Sequence, residues 1–153
     1  MVTKQTVVRH RKVRHDSRNH RDYRGVARVL LVDDNPTSRL TLQTVLEAGG
    51  YRVDAAASGA EALGLMDQSE YALVLTDLTL ESADAGLTVL AHARSKAYQP
   101  ATAIVTASHA TGAAGQVGML IQPQNLPELL GQVAGLISQR ATKRVARALR
   151  QAS

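Results

Sequence analysis

The sequence predicts an α/β domain in which five parallel strands form one sheet, doubly wound by helices on both faces. Short apolar runs alternate with amphipathic stretches along most of the chain. Two of these runs, "ARVLLV" at 27–32 and "YALVLTD" at 71–77, are apolar almost throughout, as in strands buried on both faces. Parallel strands also need helical crossovers, and the gaps between the runs are long enough to supply them.

The first half of the domain contains two strand–helix units. Pro36 favours a first helical turn, and Gly49-Gly50 are typical of a helix end. "SGAE" at 58–61 is a capping box that begins the second helix. We predict strands at 27–32 and 51–56, one helix from Pro36 to the Gly49-Gly50 pair, and a second helix through about Met66.

The second half continues the alternation but contains a weak segment. Residues 108–118 have three glycines and few large apolar groups, which predicts a shortened or irregular fourth helix. After Asn125, a helix cap, apolar residues recur every three or four positions. We predict strands at 71–77, 101–107 and 119–123, a helix at 85–97, and a last helix that continues to about Arg150.

Charge divides the chain into three parts. Residues 1–28 carry a net charge of +7, residues 29–139 carry −7, and residues 140–153 carry +5. We predict a basic, flexible N-terminal extension at 1–25, the α/β domain at 26–139, and a basic extension of the last helix at 140–153. Such basic ends can attract nucleic acid, anionic lipid or an acidic partner, fold back over the acidic body of the chain, or act as solubilising tails.

Composition excludes several classes of protein. Cysteine is absent, which excludes disulfides and thiolate metal sites. With no Phe or Trp and four Tyr, the chain offers little for stacking on single-stranded bases. No apolar run approaches the roughly 20 residues that span a bilayer, so we expect no membrane span and a cytoplasmic location.

Polar residues follow most of the predicted strands. Asp33 and Asp34 end the first strand, Asp77 the third, Thr106 the fourth and Gln122 the fifth. Because ligands bind at the carboxyl ends of parallel strands, we expect one site there. Clustered carboxylates repel each other, and Mg²⁺ relieves this repulsion. An aspartate beside Mg²⁺ can accept a phosphoryl group, for which Asp77 is our candidate, with the Thr106 hydroxyl donating to a phosphoryl oxygen.

Five segments carry a resemblance to a known family: "LLVDDNP", "LVLTDLTL", "GLTVL", "AIVTAS" and "IQPQNLPELL". Together, between about residues 28 and 138, they resemble the receiver domain of two-component response regulators, a chemotaxis-type receiver with a flavodoxin-like fold. The resemblance implies that Asp34, Asp77 and the Thr79 carbonyl bind Mg²⁺, with Asp33 acting through water. It also implies that Asp77 is phosphorylated and that Thr106 reports the event.

Two positions depart from the family pattern. The family has a lysine before a proline at the end of the fifth strand, where this chain has Gln122-Pro123. A neutral amide cannot balance the phosphoryl charge, and charge-assisted hydrogen bonds are roughly twice as strong as neutral ones. Met119 stands where the family has its switch aromatic residue. We therefore expect slower or less well coupled phosphorylation.

The resulting hypothesis is a two-component signal transduction receiver, a phosphoprotein and not an enzyme, which signals by binding an unknown downstream protein. Its phosphoryl donor is a histidine kinase or a phosphotransfer protein. The alternative is a phosphorylation-independent pseudo-receiver that acts as a protein interaction module. A small phosphatase of similar topology is disfavoured, because Thr79 stands where such chemistry uses a second acid. Non-specific contact with nucleic acid through the basic extensions is a further hypothesis.

Overall fold

A computed structural model describes residues 25–77, 80, 82–105, 119–121 and 126–152. Five parallel strands form one sheet in the order β2-β1-β3-β4-β5. The strands are β1 (Arg28–Val32), β2 (Arg52–Ala56), β3 (Leu73–Asp77), β4 (Ala101–Val105) and β5 (Met119–Ile121). The described helices are α1 (Pro36–Ala48), α2 (Gly59–Gln68), α3 (Ala83–Ser95) and α4 (Leu126–Ala152). The predicted α/β fold with a five-stranded parallel sheet is thereby confirmed.

The core lies in two layers, one on each face of the sheet. Successive strand residues point to opposite faces, so β1 contributes to both layers. Val29 and Leu31 pack in the layer that includes α1 and α4, whereas Leu30 and Val32 pack in the layer that includes α2 and α3. All four side chains are buried, which explains the uninterrupted apolar run in the sequence.

Helix α1 begins and ends where the sequence predicts. Asn35 caps it, with its side-chain oxygen accepting a hydrogen bond from the Ser38 N–H at 3.0 Å, and Pro36 occupies the first turn. Gly49 is the C-cap, and Gly50 follows with φ +99°, a left-handed conformation that glycine adopts without steric cost. The cap places α1 directly after the carboxyl end of β1.

The capping residues of α2 act somewhat differently from the capping box that the sequence predicts. The Ser58 hydroxyl accepts from the Glu61 N–H at 3.2 Å, as expected. The Glu61 carboxylate accepts from the Ala57 N–H at 3.0 Å, one residue before the cap. The glutamate therefore stabilises the backbone that enters the helix.

Several element bounds differ from the predicted ones by one or two residues. Helix α3 starts at Ala83, not at 85, because the Ser82 hydroxyl accepts from the Ala85 N–H at 3.1 Å and caps the helix. Strand β3 starts at Leu73, two residues later than predicted, and Tyr71 lies buried just before it. The segment 108–118 and the predicted cap Asn125 lie outside the described residues, as does nearly all of the N-terminal extension.

Tyr71 fixes the start of β3 against β2. Its hydroxyl donates to the Asp54 carboxylate at 2.7 Å, and burial, followed by that hydrogen bond, raises the pKa of Tyr71. Arg28 Nε lies 3.3 Å from Asp54 Oδ2, and the Arg28 guanidinium lies 5.7 Å from the Tyr71 ring centroid. Three adjacent strands, β1, β2 and β3, are thus tied together at the amino edge of the sheet.

Helix α4 is 27 residues long, or about 40 Å. Its first half packs on the sheet through Leu129, Val133 and Leu136, while residues beyond 140 are almost all exposed. The helix continues without a break through the predicted domain boundary at 139/140. Among the described residues, no helix combines the length and apolarity needed to cross a membrane.

Candidate functional site: an acidic crevice at the carboxyl edge of the sheet

The crevice lies between two neighbouring strands whose connections leave in different directions. Strand β1 is followed by α1 and the connection to β2, while β3, its other neighbour, leads through α3 to β4. Val32 of β1 pairs with Thr76 of β3, so the next residues, Asp33 and Asp77, emerge side by side. Such a switch in strand order opens a crevice at the carboxyl ends of the strands.

Three carboxylates meet at this crevice. Asp33, Asp34 and Asp77 each offer an oxygen that lies within 4.8 Å of the corresponding oxygens of the other two. Their environments differ: Asp33 is 2% exposed, Asp77 is half-buried and Asp34 is exposed. The crevice therefore has a buried acidic wall and one acid at its mouth.

The surrounding backbone holds Asp33 in place. Its N–H donates to the Ala56 carbonyl at 3.0 Å, which extends the pairing of β1 with β2, and its carboxylate accepts from the Asn35 N–H at 3.0 Å. The Arg39 guanidinium donates to the Asp33 carbonyl at 2.9 Å. Three hydrogen bonds thus fix Asp33, two of them to its backbone and one to its carboxylate.

The opposite wall is fixed by packing after β3. Thr76, which is fully buried, donates its hydroxyl to the Asp77 carbonyl at 3.3 Å. Leu80 is 5% exposed and packs in the layer that contains Val89 of α3. Asp77 therefore lies in the chain between two buried residues, Thr76 and Leu80.

The donor set suits a hard divalent cation. Carboxylate oxygens are the ligands that Mg²⁺ prefers, and it commonly uses one or two of them while keeping several waters. In the part of the chain that the structure describes, neither Asp33 nor Asp34 forms an ion pair with a lysine or arginine. The nearby cation Arg39 binds a backbone carbonyl instead of a carboxylate. The three side chains therefore fit Mg²⁺ in chemistry and in spacing.

The remaining predicted site residues, Thr79, Thr106 and Gln122, lie outside the described residues. Their neighbours in the chain can be placed: Val105 pairs with Asp77 on one side and with Ile121 on the other. Strands β3, β4 and β5 thus end side by side at the edge where the acids cluster.

Sequence reasoning missed Arg39 and Leu80 as supporting residues. Arg39 carried a signal, because it is one of four Lys/Arg residues in the acidic segment 29–139 and lies six positions after Asp33. Leu80 carried none, since a single leucine in a polar loop does not indicate what it contacts.

Comparison with known proteins gives a consistent result. Residues 29–132, more than half of the chain, match the response regulator receiver domain family. The sensor protein EvgS of Escherichia coli K12 is 39% identical over 56 residues, which cover 37% of this chain and 5% of EvgS. The transcriptional regulatory protein TrcR of Mycobacterium tuberculosis is 30% identical over 126 residues, which cover 78% of this chain and 49% of TrcR. The chain therefore spans at most about half the length of these relatives.

Among solved structures, the chain is similar to the response regulator TrrA of Thermotoga maritima, crystallised in complex with Mg²⁺-BeF. The two are 29% identical with a TM-score of 0.63, and the match covers 72% of this chain and 99% of TrrA. The sheet order, the acidic crevice and the sequence match all agree with the resemblance seen in the motifs. This chain belongs to the response regulator receiver domain family, the signalling modules of two-component systems.

Proposed function

We propose that this protein accepts a phosphoryl group on Asp77, with Mg²⁺ bound at the acidic crevice, and that phosphorylation changes its binding to a downstream protein. The observation that carries the proposal is the convergence of Asp33, Asp34 and Asp77 within 4.8 Å at the carboxyl edge of a receiver fold. The finer roles follow the family pattern: Asp34, Asp77 and the Thr79 carbonyl as metal ligands, and Asp33 acting through water.

The chemistry assigned to Asp77 is nucleophilic. A carboxylate oxygen of Asp77 forms a bond to phosphorus while the bond from phosphorus to the donor breaks, and its electron pair leaves with the donor. Mg²⁺ supplies neutralisation of the phosphoryl charge. The protein contributes a fixed nucleophile: Asp77 ends a buried strand and its backbone is held by Thr76. Fixing the reacting groups in place is a large part of phosphoryl-transfer catalysis.

The donor we propose is a histidine kinase or a phosphotransfer protein. Receiver domains interact with histidine kinases, and the sensor protein EvgS is among the relatives of this chain. Among the described residues, the exposed position of Asp34 and the half-buried position of Asp77 make both carboxylates accessible to a donor. Small phosphodonors should therefore also enter.

The test combines a small phosphodonor with intact-mass spectrometry. Wild-type protein incubated with acetyl phosphate and Mg²⁺ should gain the mass of one phosphoryl group, and Asp77→Asn should gain none. Asp84→Asn is the matched control, because Asp84 is an exposed aspartate in the first turn of α3, outside the carboxylate cluster. It should be phosphorylated like wild type, and omission of Mg²⁺ should suppress the gain in both.

Two outcomes would contradict the proposal. A gain that persists in Asp77→Asn would place the phosphoryl group elsewhere. No gain in wild type would favour the alternative, a pseudo-receiver that binds its partner without phosphorylation, for which Gln122 in place of the family lysine is the supporting observation.

A further inference from the structure

A second charged site lies at the opposite edge of the sheet. A groove of about 430 Å³ runs between the second half of α4 and the chain that enters β4. Four of its lining residues are cationic and none is acidic. Its polar lining residues are Gln99, Thr102, Gln139, Arg140, Lys143, Arg144 and Arg147.

The cations continue the face by which α4 packs on the sheet. Leu129, Val133 and Leu136 are buried on that face at alternating spacings of four and three residues. The same spacing continues through Arg140, Lys143 and Arg147, so one helical stripe changes from apolar to cationic as α4 passes the edge of the sheet. The cations therefore face the groove and not the open solvent side of the helix.

Two of the cations are anchored and fix the shape of the groove. Arg140 donates through Nε to the Gln99 carbonyl at 2.9 Å and through Nη2 to the Tyr98 carbonyl at 2.8 Å. Arg147 donates to the side-chain oxygen of Gln99. Gln99 itself has φ +44°, a left-handed conformation that these contacts hold in place. The groove is thus built before any ligand arrives.

The other two cations lack a counter-charge. Within the described chain, Lys143 and Arg144 form no ion pair or hydrogen bond through their side chains. Burial, followed by the nearby charge of Arg144, lowers the pKa of Arg140. Glu70 acts in the opposite direction on the pKa of Arg140, but residues 140–153 contain five Lys/Arg and no acid, so nothing in this segment offsets the charges of Lys143 and Arg144. An anionic ligand would.

We propose that this groove binds the phosphodiester backbone of nucleic acid without sequence preference. Backbone binding needs clustered lysine and arginine and no apolar anchor, because counterion release supplies most of the free energy. An acidic protein would be expected to add aromatic or large apolar contacts at the centre of its interface, and the groove offers only Leu136, Pro100 and Ala101. The inference does not rest on phosphorylation of Asp77.

The exposed apolar residues of α4 argue against a membrane surface as the ligand. Val145 and Leu149 are 60% and 67% exposed. At about 100° per residue they lie roughly opposite the cationic stripe around the helix axis. A helix that buried them in lipid would turn its cations away from the headgroups, which is the reverse of an interfacial helix. A second copy of α4 is disfavoured as well, since two cationic stripes repel each other.

The test measures affinity of the full chain for a fluorescent 20-base-pair DNA duplex by anisotropy, between about 50 and 200 mM KCl. The variant Lys143→Gln/Arg144→Gln removes two exposed, unpaired charges and should keep or raise the wild-type urea midpoint, because it also removes repulsion within the cluster. If each cation contacts one phosphate, the slope of log K against log salt becomes less negative by about 1.8, and Kd rises at least about tenfold at the lowest salt. The phosphorylation state plays no part in this measurement.

The matched control is Arg52→Gln/Arg94→Gln, which removes the same charge from β2 and α3, outside the groove lining. It should change the slope of log K against log salt by much less. Any DNA binding by the basic N-terminal segment is the same in every variant and does not affect the comparison. Equal losses in both double variants would overturn the proposal. So would displacement of DNA by poly-glutamate at equal charge concentration, which would indicate an acidic protein, or by micromolar tripolyphosphate, which would indicate a small phosphorylated ligand.

Discussion

Replacing Asp34 by asparagine should make the metal-free protein more stable and remove its response to Mg²⁺. Asp34 is exposed and forms no ion pair among the described residues, so the substitution removes charge and little else. The three clustered carboxylates repel each other at separations of up to 4.8 Å. When no cation is bound, this repulsion lowers the free energy of unfolding of the protein.

The magnitude follows from Coulomb's law. Two unit charges 4.8 Å apart repel by about 0.9 kcal/mol at the dielectric constant of water and by about 3.5 kcal/mol at an effective value of 20. Asp34 is exposed, which favours the lower figure. Asp33 precedes it in the chain and repels it in the unfolded state as well, so only the pair with Asp77 is specific to the fold. We expect Asp34→Asn to raise the free energy of unfolding by about 1 kcal/mol.

Urea denaturation at low ionic strength, with and without Mg²⁺, measures both effects. Wild type should gain about 1.4 kcal/mol when Mg²⁺ is at ten times its Kd, whereas Asp34→Asn should gain much less. Glu47→Gln is the matched control: it removes an exposed charge near the end of α1 and should keep the full Mg²⁺ response. A metal-free Asp34→Asn protein that is less stable than wild type, or that gains as much from Mg²⁺, would refute the reasoning.

Three further predictions concern other parts of the chain. Gln122→Lys should raise the rate of phosphorylation by acetyl phosphate, measured by intact mass over time, because an ammonium group can balance the phosphoryl charge; an unchanged rate would count against this explanation. A hydrogen bond from Lys96 is the first cause that lowers the pKa of Asp67, so its stabilisation is present above the ordinary value of 3.8 and is lost as pH falls through the lowered pKa. Urea midpoints of wild type and Asp67→Asn should therefore differ at pH 6 and converge in acid; a constant difference would exclude the linkage. Tyr71→Phe should lower the free energy of unfolding by about 1 kcal/mol through loss of the hydrogen bond to Asp54, and an unchanged urea midpoint would show that the bond contributes nothing.

The fold could be predicted from the sequence because its signals are local and agree with each other. Continuous apolar runs indicate strands buried on both faces. Pro36 fits the first turn of α1, and Ser58 is a hydrogen-bonding cap whose effect extends over three positions. The start of α3 differed because it depends on an overlooked cap, Ser82, and the burial of Tyr71 before β3 is revealed only by the assembled sheet. Tertiary contacts of this kind leave no periodic pattern in the chain.

The candidate site could be predicted only as a set of strand ends. Topology brings the ends of β1 and β3 together, so the proximity of Asp33, Asp34 and Asp77 followed from their positions alone. The burial of Asp33 and the contact of Arg39 with its carbonyl did not follow, because both depend on how α1 lies against the sheet. The burial of Asp33 and the exposure of Asp34 are therefore properties of the folded structure that the positions of these residues in the sequence do not reveal.

The geometry of β4 limits how the acidic crevice and the cationic groove could be coupled. Strand β4 reaches both: Val105 pairs with Asp77 at the acidic crevice, and Thr102 lines the cationic groove about 10 Å away along the strand. A strand paired on both sides moves little, so coupling would require a second element with two arrangements. The resemblance to receiver domains implies that a lysine just after β5 would sense the phosphoryl group, and this chain has Gln122 there, whose amide is neutral. We therefore expect nucleic acid to bind the groove with nearly the same affinity whether or not Asp77 is phosphorylated. Because linkage between two binding equilibria is reciprocal, nucleic acid should then have equally little effect on phosphorylation at equilibrium.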